Sequence, residues 1–320
     1  MGGPRHEAGT HRGRTCGRPL TPRAPSERAV LRALRLRRAP APQGAEAHAR
    51  LIHARTWGRR GRVVVKHVDA GGMLARLGEA MGERLLRALP REGSVVLSPI
   101  ERRGRVLHRL RGELFLVFPW TRTTEGPHPF AAWRANTSSF VRFHVALRAD
   151  LAEASALCAA TPFSPHALWL DTGSDDWPWE RTRGVLGEDR ARWCEVLLWE
   201  PERHDAAGHR DVVARNVAYS DEATVVFDLD ELGPATAWQD VLTSAAWAGF
   251  DRTALTFVLD RLRGEVGRKI ERFDVASALR LVLRRLSDEL AQNGDAPLPD
   301  GYLEGHHRRV DQLLGLSERC

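Results

Sequence analysis

HRDVVARN, residues 209–216, and ATVVFDLD, residues 223–230, are the two segments that decide how this chain folds. The first contains Asp211 and, five residues further on, Asn216. The second begins with a β-branched, apolar run that predicts a strand, and Asp228 follows at the end of it. A hairpin would bring the three side chains together. They would supply a proton acceptor and two oxygen ligands for Mg²⁺, the groups that phosphoryl transfer from a nucleotide requires.

The pattern resembles the catalytic and metal-binding loops of small-molecule kinases of the aminoglycoside phosphotransferase and choline kinase type. In that family His-x-Asp is followed, after four residues, by Asn, and after a strand by Asp-x-Asp. HRDVVARN is also similar to the catalytic loop of eukaryotic tyrosine kinases, but DLD stands where protein kinases have Asp-Phe-Gly. Pro234 and Asp240 extend the match to the family's Pro and to the Asp that opens an apolar helix.

The resemblance implies an α+β, bilobal protein-kinase-like fold with a small antiparallel-sheet N-lobe and a larger, mostly helical C-lobe. We expect residues 1–26, rich in Gly, Pro and Arg, to be a disordered basic arm. Residues 27–120 would form the N-lobe and residues 121–320 the C-lobe. Ser26 is a predicted N-cap for a helix over residues 27–38.

Four β-like runs support a sheet in the N-lobe. Residues 49–57 and 61–68 are separated by glycines and predict a hairpin. Residues 104–110 and 112–120 predict a second pair of strands, with Arg-Gly at the turn. In the family, the last of these strands leads into the hinge whose backbone binds adenine.

Lys66 ends the second run, where the family places the lysine that binds the α- and β-phosphates of ATP. The next segment, residues 73–89, has apolar residues at helical spacing and carries Glu79 and Glu83. Either glutamate could pair with Lys66, and the resemblance favours Glu83. The alternative is that both glutamates are solvated residues of a surface helix.

The resemblance assigns roles to four polar residues of the two segments. Asp211 would accept the proton of the acceptor hydroxyl, and Asn216 and Asp228 would bind Mg²⁺. Arg215 matches the arginine of the tyrosine-kinase Ala-Ala-Arg motif and could stabilise the transferred phosphoryl group.

Other residues of the motif are expected to support the loop. His209 would hydrogen-bond the loop backbone, and Asp240 would brace the loop from its helix. Asp230 would either help at the metal or fix the turn. Arg210 departs from the family, which usually has Gly between the His and the Asp. Because this loop touches the acceptor, the acceptor side of the site is where we expect differences.

A segment rich in both carboxylates and tryptophans, residues 161–184, precedes the motif. Carboxylates beside indole rings suit a cationic amine, although an exposed loop with tryptophans packed on the body fits equally well. His144 is expected to pack rather than to react.

We therefore expect an ATP- and Mg²⁺-dependent phosphotransferase that moves the γ-phosphoryl group to a hydroxyl of a small, cationic acceptor, such as an aminoglycoside or another amine-bearing natural product. The alternatives are a choline- or ethanolamine-type kinase, a protein kinase, and a non-catalytic pseudokinase scaffold. A protein kinase is disfavoured by DLD and by the lack of an Ala-Pro-Glu segment after it.

The composition excludes several other classes of protein. The pI of about 10.0 is due to residues 1–43, which contain ten Arg and only two Glu. Because the net charge of the whole chain is +7, residues 44–320 have a net charge of about −1. The folded body is therefore not expected to bind nucleic acid. Four cysteines without paired spacing, no apolar stretch of ~18 residues and no secretory signal predict a cytoplasmic protein without a membrane span.

Overall fold

The computed structural model describes residues 24–40, 51–56, 61–91, 94–121, 128–163, 179–201, 203–219, 224–294, 298 and 301–320. The basic arm predicted over residues 1–26 falls almost entirely outside these ranges. Most of the acidic, tryptophan-rich segment 161–184 also lies outside them. Within the described ranges, none of the helices combines the length and the apolar character that a membrane span needs.

A five-stranded antiparallel sheet forms the N-lobe, with the strand order β1-β2-β3-β5-β4. Its strands are β1 Leu36–Arg38, β2 Leu51–Thr56, β3 Arg62–His67, β4 Leu107–Leu110 and β5 Glu113–Pro119. The helices of this lobe are α1 Glu27–Ala33, α2 Met73–Arg76 and α3 Gly78–Arg87. The strands predicted from the four β-like runs are confirmed.

The two faces of this sheet pack against different helices because side chains alternate along a strand. Val65 and Val117 are paired in register, and both are buried with Val30 of α1. Leu116, one residue before Val117, is buried in a separate cluster with Leu85 of α3. The central strands β3 and β5 are therefore covered on both sides, which fixes the position of Lys66 near the end of β3.

The first helix is shorter than its sequence suggests. Ser26 caps α1 as predicted, since its Oγ accepts a backbone hydrogen bond of 3.3 Å from the first turn. The helix predicted over residues 27–38 ends at Ala33, however. Arg35 adopts a left-handed φ of 52°, and the chain then enters β1, which pairs with β2. Strand pairing thus overrides the helical propensity of the last residues.

Helices dominate the C-lobe. They are α4 Pro129–Ala135, α5 Thr137–Asp150, α6 Ala152–Ala159, α7 Trp179–Leu186, α8 Glu188–Leu198, α9 Gln239–Ala248, α10 Arg252–Val266, α11 Arg272–Asn293 and α12 Tyr302–Ser317. Helix α11 is 22 residues long, and its stripe of Leu279, Val282, Leu283 and Leu286 is completely buried. It begins with a capping box in which Glu271 and Asp274 satisfy each other's backbone N–H.

Two short strand pairs carry the motif. Strand β6, Ala206–Gly208, pairs with β9, Gly233–Ala235, and strand β7, Val217–Tyr219, pairs with β8, Thr224–Val226. Because β7 follows the catalytic-loop segment and β8 precedes DLD, the antiparallel β7–β8 pair brings the two motif segments together. The hairpin expected from the sequence is confirmed for the described residues on either side of its turn.

A seam of hydrogen bonds joins the lobes beside this hairpin. Residues 95–97, between α3 and β4, run parallel to β8, and Val226 donates to the carbonyl of Val95 at 2.7 Å. Asp150, at the end of α5, accepts from the N–H groups of Val95 and Val96 at 2.7 and 3.1 Å. A segment between two N-lobe elements is thereby bound to the C-lobe strand that precedes DLD.

Candidate active site

The start of the catalytic loop is held by a buried carboxylate. Asp240, in the first turn of α9, accepts hydrogen bonds of 2.7 Å from the backbone N–H groups of both His209 and Arg210. Burial raises the pKa of Asp240, and the two hydrogen bonds and the charge of Arg210 offset part of that rise. The predicted bracing role of Asp240 is confirmed.

The prediction for His209 is wrong in its detail. His209 is fully buried, and within the described residues neither of its ring nitrogens has a hydrogen-bond partner. Burial lowers the pKa of His209, so the ring is neutral. It supports the loop by filling space and not by bonding the loop backbone.

Arg210 shows why glycine is usual at its position. Its φ is 64°, in the left-handed region that glycine enters without strain but that costs other residues ~1–2 kcal/mol. The side chain is buried, and its Nη1 donates to the carbonyl oxygen of Pro234 at 2.8 Å. This bond offsets part of the backbone strain and ties the loop to β9.

Asp211 lies at the centre of a small polar cluster. Its Oδ2 accepts a 2.7 Å hydrogen bond from Asn216 Nδ2 and lies 3.9 Å from Nη2 of Arg215. Its Oδ1 accepts a hydrogen bond from Arg285 of α11. Sequence reasoning did not find Arg285, because an arginine in an amphipathic helix gives no local sign of a partner 74 residues away in the chain.

Lys66 of the N-lobe contacts both carboxylates of DLD. Its ammonium forms an ion pair with Asp228 and lies 2.8 Å from Oδ1 of Asp230. Asp228 has a left-handed φ of 74°. Burial raises the pKa of Asp230 to about 6, against the opposing effect of Lys66. The lysine and the strand-end aspartate predicted to share a site are therefore together.

The predicted pair between Lys66 and Glu83 is not formed. Glu83 Oε2 instead accepts from the backbone N–H of Leu107 at 2.6 Å, and Oε1 accepts from Val106 at 3.0 Å and from Arg87 at 2.7 Å. Helix α3 packs beside β4, so this face of the helix meets the start of that strand and not the end of β3.

Glu79, the alternative partner for Lys66, is engaged elsewhere as well. It pairs with Arg105, and its Oε2 lies 3.8 Å from Arg109. Both glutamates are thus used within the N-lobe. Neither is the solvated surface residue of the alternative interpretation.

A cleft of about 180 Å³ opens in front of Asp211 and the DLD carboxylates. Its far wall is one face of α11, which carries both positive and negative charges, and Trp247 of α9 also lines it. The charged residues of that face are Arg284, Arg285, Asp288 and Glu289. The described residues therefore place a second set of carboxylates opposite the motif.

His144 packs and takes no part in the cleft. The side chain is buried against Phe140, Phe143 and Trp133, and its Nε2 shares a 2.7 Å hydrogen bond with Oγ of Ser244. Burial lowers the pKa of His144 to about 3. The expectation that this histidine is structural is confirmed.

The oxygen ligands present fit a hard divalent cation. Asp228 and Asp230 already surround a positive charge, that of Lys66, and Asn216 donates through Nδ2, so its Oδ1 is the atom suited to a metal. In the described part of the chain, no three His, Cys, Asp or Glu side chains form a metal site alone.

Small-molecule kinases are among the solved structures that share this fold. Choline kinase LicA from Streptococcus pneumoniae is 11% identical, with a TM-score of 0.53 over 91% of this chain and 99% of that one. Amicoumacin kinase hAmiN is 14% identical, with a TM-score of 0.54 over 91% of this chain and 94% of that one. Aminoglycoside phosphotransferase APH(4)-Ia is 14% identical, with a TM-score of 0.50 over 90% of this chain and 97% of that one. No protein-family model matches the sequence, and the curated proteins give no match either.

These similarities establish the class of fold. The chain has the bilobal, protein-kinase-like α+β fold, in the form found in choline kinase and aminoglycoside phosphotransferase structures. The expected fold class is confirmed, and the sequence resemblance is matched by a resemblance in structure. At 11–14% identity the similarity concerns the fold, so the chemistry has to be argued from the residues of the cleft.

Proposed function

We propose that this protein is an ATP-dependent phosphotransferase that moves the γ-phosphoryl group to a hydroxyl of a small molecule, such as an aminoglycoside or another amine-bearing natural product. The observation that carries the proposal is the contact of Lys66 with Asp228 and Asp230. Nucleotide phosphates need a fixed positive charge and a metal held by carboxylates, and this contact supports both. The presence of AMP-PNP in the amicoumacin kinase structure supports ATP as the donor.

Asp211 is the proposed base. The acceptor oxygen bonds to the γ-phosphorus while the bond from that phosphorus to the β–γ bridging oxygen breaks, and ADP leaves with the electron pair. The hydroxyl proton passes to Asp211. Asn216 fixes the orientation of this carboxylate through its 2.7 Å hydrogen bond. Arg215, 63% exposed beside Asp211, is proposed to offset charge on the transferred group, and Lys66 to bind the phosphates that are not transferred.

The metal-binding residues of the proposal are Asn216 and Asp228, with Asp230 beside them. When bound, Mg²⁺ would offset the negative charge of the phosphate oxygens. In the structure, the Lys66 ammonium pairs with both aspartates. With nucleotide and metal bound, Mg²⁺ would also pair with the aspartates, and the phosphates would also pair with Lys66. Glu83 is left out of the nucleotide site because its oxygens bind the backbone of β4.

The far wall of the cleft supports a cationic acceptor. Asp288 and Glu289 of α11 line it, and the Asp288 side chain is half exposed. Trp247 lines the same cleft, and the guanidinium of Arg309 lies 3.6 Å from its ring centroid, so this indole already binds a cation. An acceptor amine near these carboxylates would direct a neighbouring hydroxyl to Asp211.

The test is a phosphate-transfer screen with ATP and Mg²⁺ against hydroxylated amines, including aminoglycosides, choline and ethanolamine. Asp211→Asn should reduce transfer by ~10²–10⁴-fold, the usual contribution of a general base, with nucleotide binding retained. Asp260→Asn is the matched control, because Asp260 is an exposed aspartate of α10.

Four results would change the conclusion. Transfer to choline alone would favour a choline-type kinase, and transfer only to a protein substrate would favour a protein kinase. Nucleotide binding without any turnover would favour a non-catalytic scaffold. Equal transfer by wild type and Asp211→Asn would remove Asp211 as the base.

A further inference from the structure

Arg285 lies outside the catalytic motif but contacts its central residue. We propose that Arg285 is a displaceable gate: it occupies Asp211 until an acceptor arrives, and so limits the transfer of the phosphoryl group to water. This inference rests on the proposed phosphotransferase function and adds a regulation of the same site. The water reaction follows the course described above, with water in place of the acceptor, and its products are ADP and inorganic phosphate.

The contact limits how a small molecule can approach Asp211. Arg285 donates to Oδ1 and Asn216 donates to Oδ2, so each carboxylate oxygen already accepts a hydrogen bond. The side chains of Asp211 and Arg285 are 16% and 14% exposed, respectively. A water molecule would therefore have to compete with a charge-assisted hydrogen bond to be oriented by Asp211.

Arg285 is held by few contacts. In the described ranges, Asp211 is the only hydrogen-bond partner of its guanidinium, which has five N–H donors. The preceding Arg284 differs, because it donates to Glu231 at 2.9 Å and to the carbonyl of Gly71 at 3.4 Å. A single-point ion pair is weaker and less rigid than a bidentate one. Arg285 is therefore the arginine of this wall that can be displaced.

A second position for the guanidinium is built into the same helix. Asp288 and Glu289 follow Arg285 by three and four residues, the spacing at which side chains on one helix face meet. Among the described residues, the nearest partner of Asp288 is Nε of Arg284 at 3.8 Å, beyond hydrogen-bond distance, so no close partner holds its carboxylate there. Asp288 can thus receive the guanidinium while Glu289 stays available to the acceptor amine, so Arg285 can leave Asp211 without losing a charged partner.

The experiment compares the full-length wild type with Arg285→Gln and Arg285→Lys. Release of ADP is measured without acceptor, and KM and kcat are measured for an acceptor found in the screen. Arg285→Gln should raise acceptor-independent hydrolysis by about tenfold, equivalent to ~1.4 kcal/mol, and should lower the acceptor KM because no ion pair has to be broken. Arg285→Lys keeps the charge and should lie close to wild type.

Arg272→Gln is the matched control. Arg272 is on the same helix and pairs with Glu200 at 2.8 Å, and it does not line the cleft, so its removal should change neither rate. Thermal unfolding of each variant confirms that it is folded.

Two outcomes separate this inference from the proposed function. If wild type transfers phosphate but Arg285→Gln hydrolyses ATP no faster than wild type, or loses hydrolysis and transfer together, Arg285 supports the active geometry and the gate is rejected. If wild type shows no turnover of ATP with any acceptor or with water, the phosphotransferase proposal fails first and the gate fails with it.

Discussion

Lys66 of strand β3 and Asp228, the first residue of DLD, form an ion pair across the two lobes. The Lys66 side chain is only 10% exposed, and Asp230 lies on its other side at 2.8 Å. One positive charge therefore holds two carboxylates that would otherwise repel each other. The ion pair joins the lobes in addition to the seam of residues 95–97.

Replacing Lys66 by methionine tests that dependence. Lys66→Met keeps an unbranched side chain but leaves Asp228 and Asp230 without their counter-charge, so we expect the free energy of unfolding at pH 7.5 to fall by about 1–3 kcal/mol. Nucleotide affinity should fall as well. Lys269→Met is the control, since Lys269 is the other lysine of the chain and is exposed. Unchanged unfolding and nucleotide binding in Lys66→Met would refute the assignment.

The pKa of Asp230 gives a pH dependence with a definite sign. That pKa is about 6 in the folded protein, raised mainly by burial, against roughly 3.9 for an ordinary aspartate. Between these values the folded state binds more protons than the unfolded chain, so this carboxyl lowers stability as the pH rises from about 4 through about 6.

Asp230→Asn removes this titration. The free energy of unfolding of the variant minus that of wild type should therefore be larger at pH 7.5 than at pH 4.5, by roughly 2 kcal/mol. Denaturant unfolding at the two pH values measures the difference, with Asp260→Asn as the exposed control. A difference that does not vary with pH would show that Asp230 titrates normally.

Glu83 is expected to act on stability and not on nucleotide binding. Glu83→Ala leaves the N–H groups of Val106 and Leu107 without their acceptor, which should cost about 1–3 kcal/mol of unfolding free energy. Glu79→Ala removes a more exposed ion pair with Arg105 and should cost about 1 kcal/mol or less. A specific loss of nucleotide affinity in Glu83→Ala, without loss of stability, would restore the expected pairing with Lys66.

Arg210 allows backbone strain to be measured in isolation. Arg210→Ala and Arg210→Gly both remove the hydrogen bond to Pro234, but only glycine relieves the cost of a φ of 64°. We expect the glycine variant to be more stable than the alanine variant by about 0.5–1 kcal/mol, despite the greater freedom of glycine in the unfolded chain. Chemical denaturation of the two variants decides the point, and the opposite order would contradict it.

The parts of the site that sequence could predict are those set by short-range rules. The spacing of Asp211, Asn216 and Asp228 around a strand-forming run predicts a hairpin, and the hairpin alone brings their backbones together. Lys66 is predicted by the resemblance, because it lies near the end of a locally recognisable β-like run, where the family places its phosphate-binding lysine. Such features need only the strand period and the turn, both of which are encoded locally.

The parts that sequence could not predict depend on how elements pack. The helical spacing of apolar residues correctly predicts α3. The rotation of that helix against β4, however, decides that Glu83 faces the strand and not Lys66. Arg285 lies on the polar edge of a core helix, where arginines commonly face solvent, and only the approach of the catalytic loop gives it a partner. The early end of α1 reflects pairing of β1 with β2, which helix propensity does not register.

The seam formed by residues 95–97, Asp150 and Val226 restricts how the two halves of the molecule can separate. A rigid-body rotation of the N-lobe that disrupted the seam would break three of its hydrogen bonds at once, so the axis of any such rotation has to pass close to it. Residues near an axis move least, and Asp228 is two positions from Val226. Opening of the two lobes would therefore widen the cleft most at the edge farthest from the seam, and small molecules would enter the cleft there.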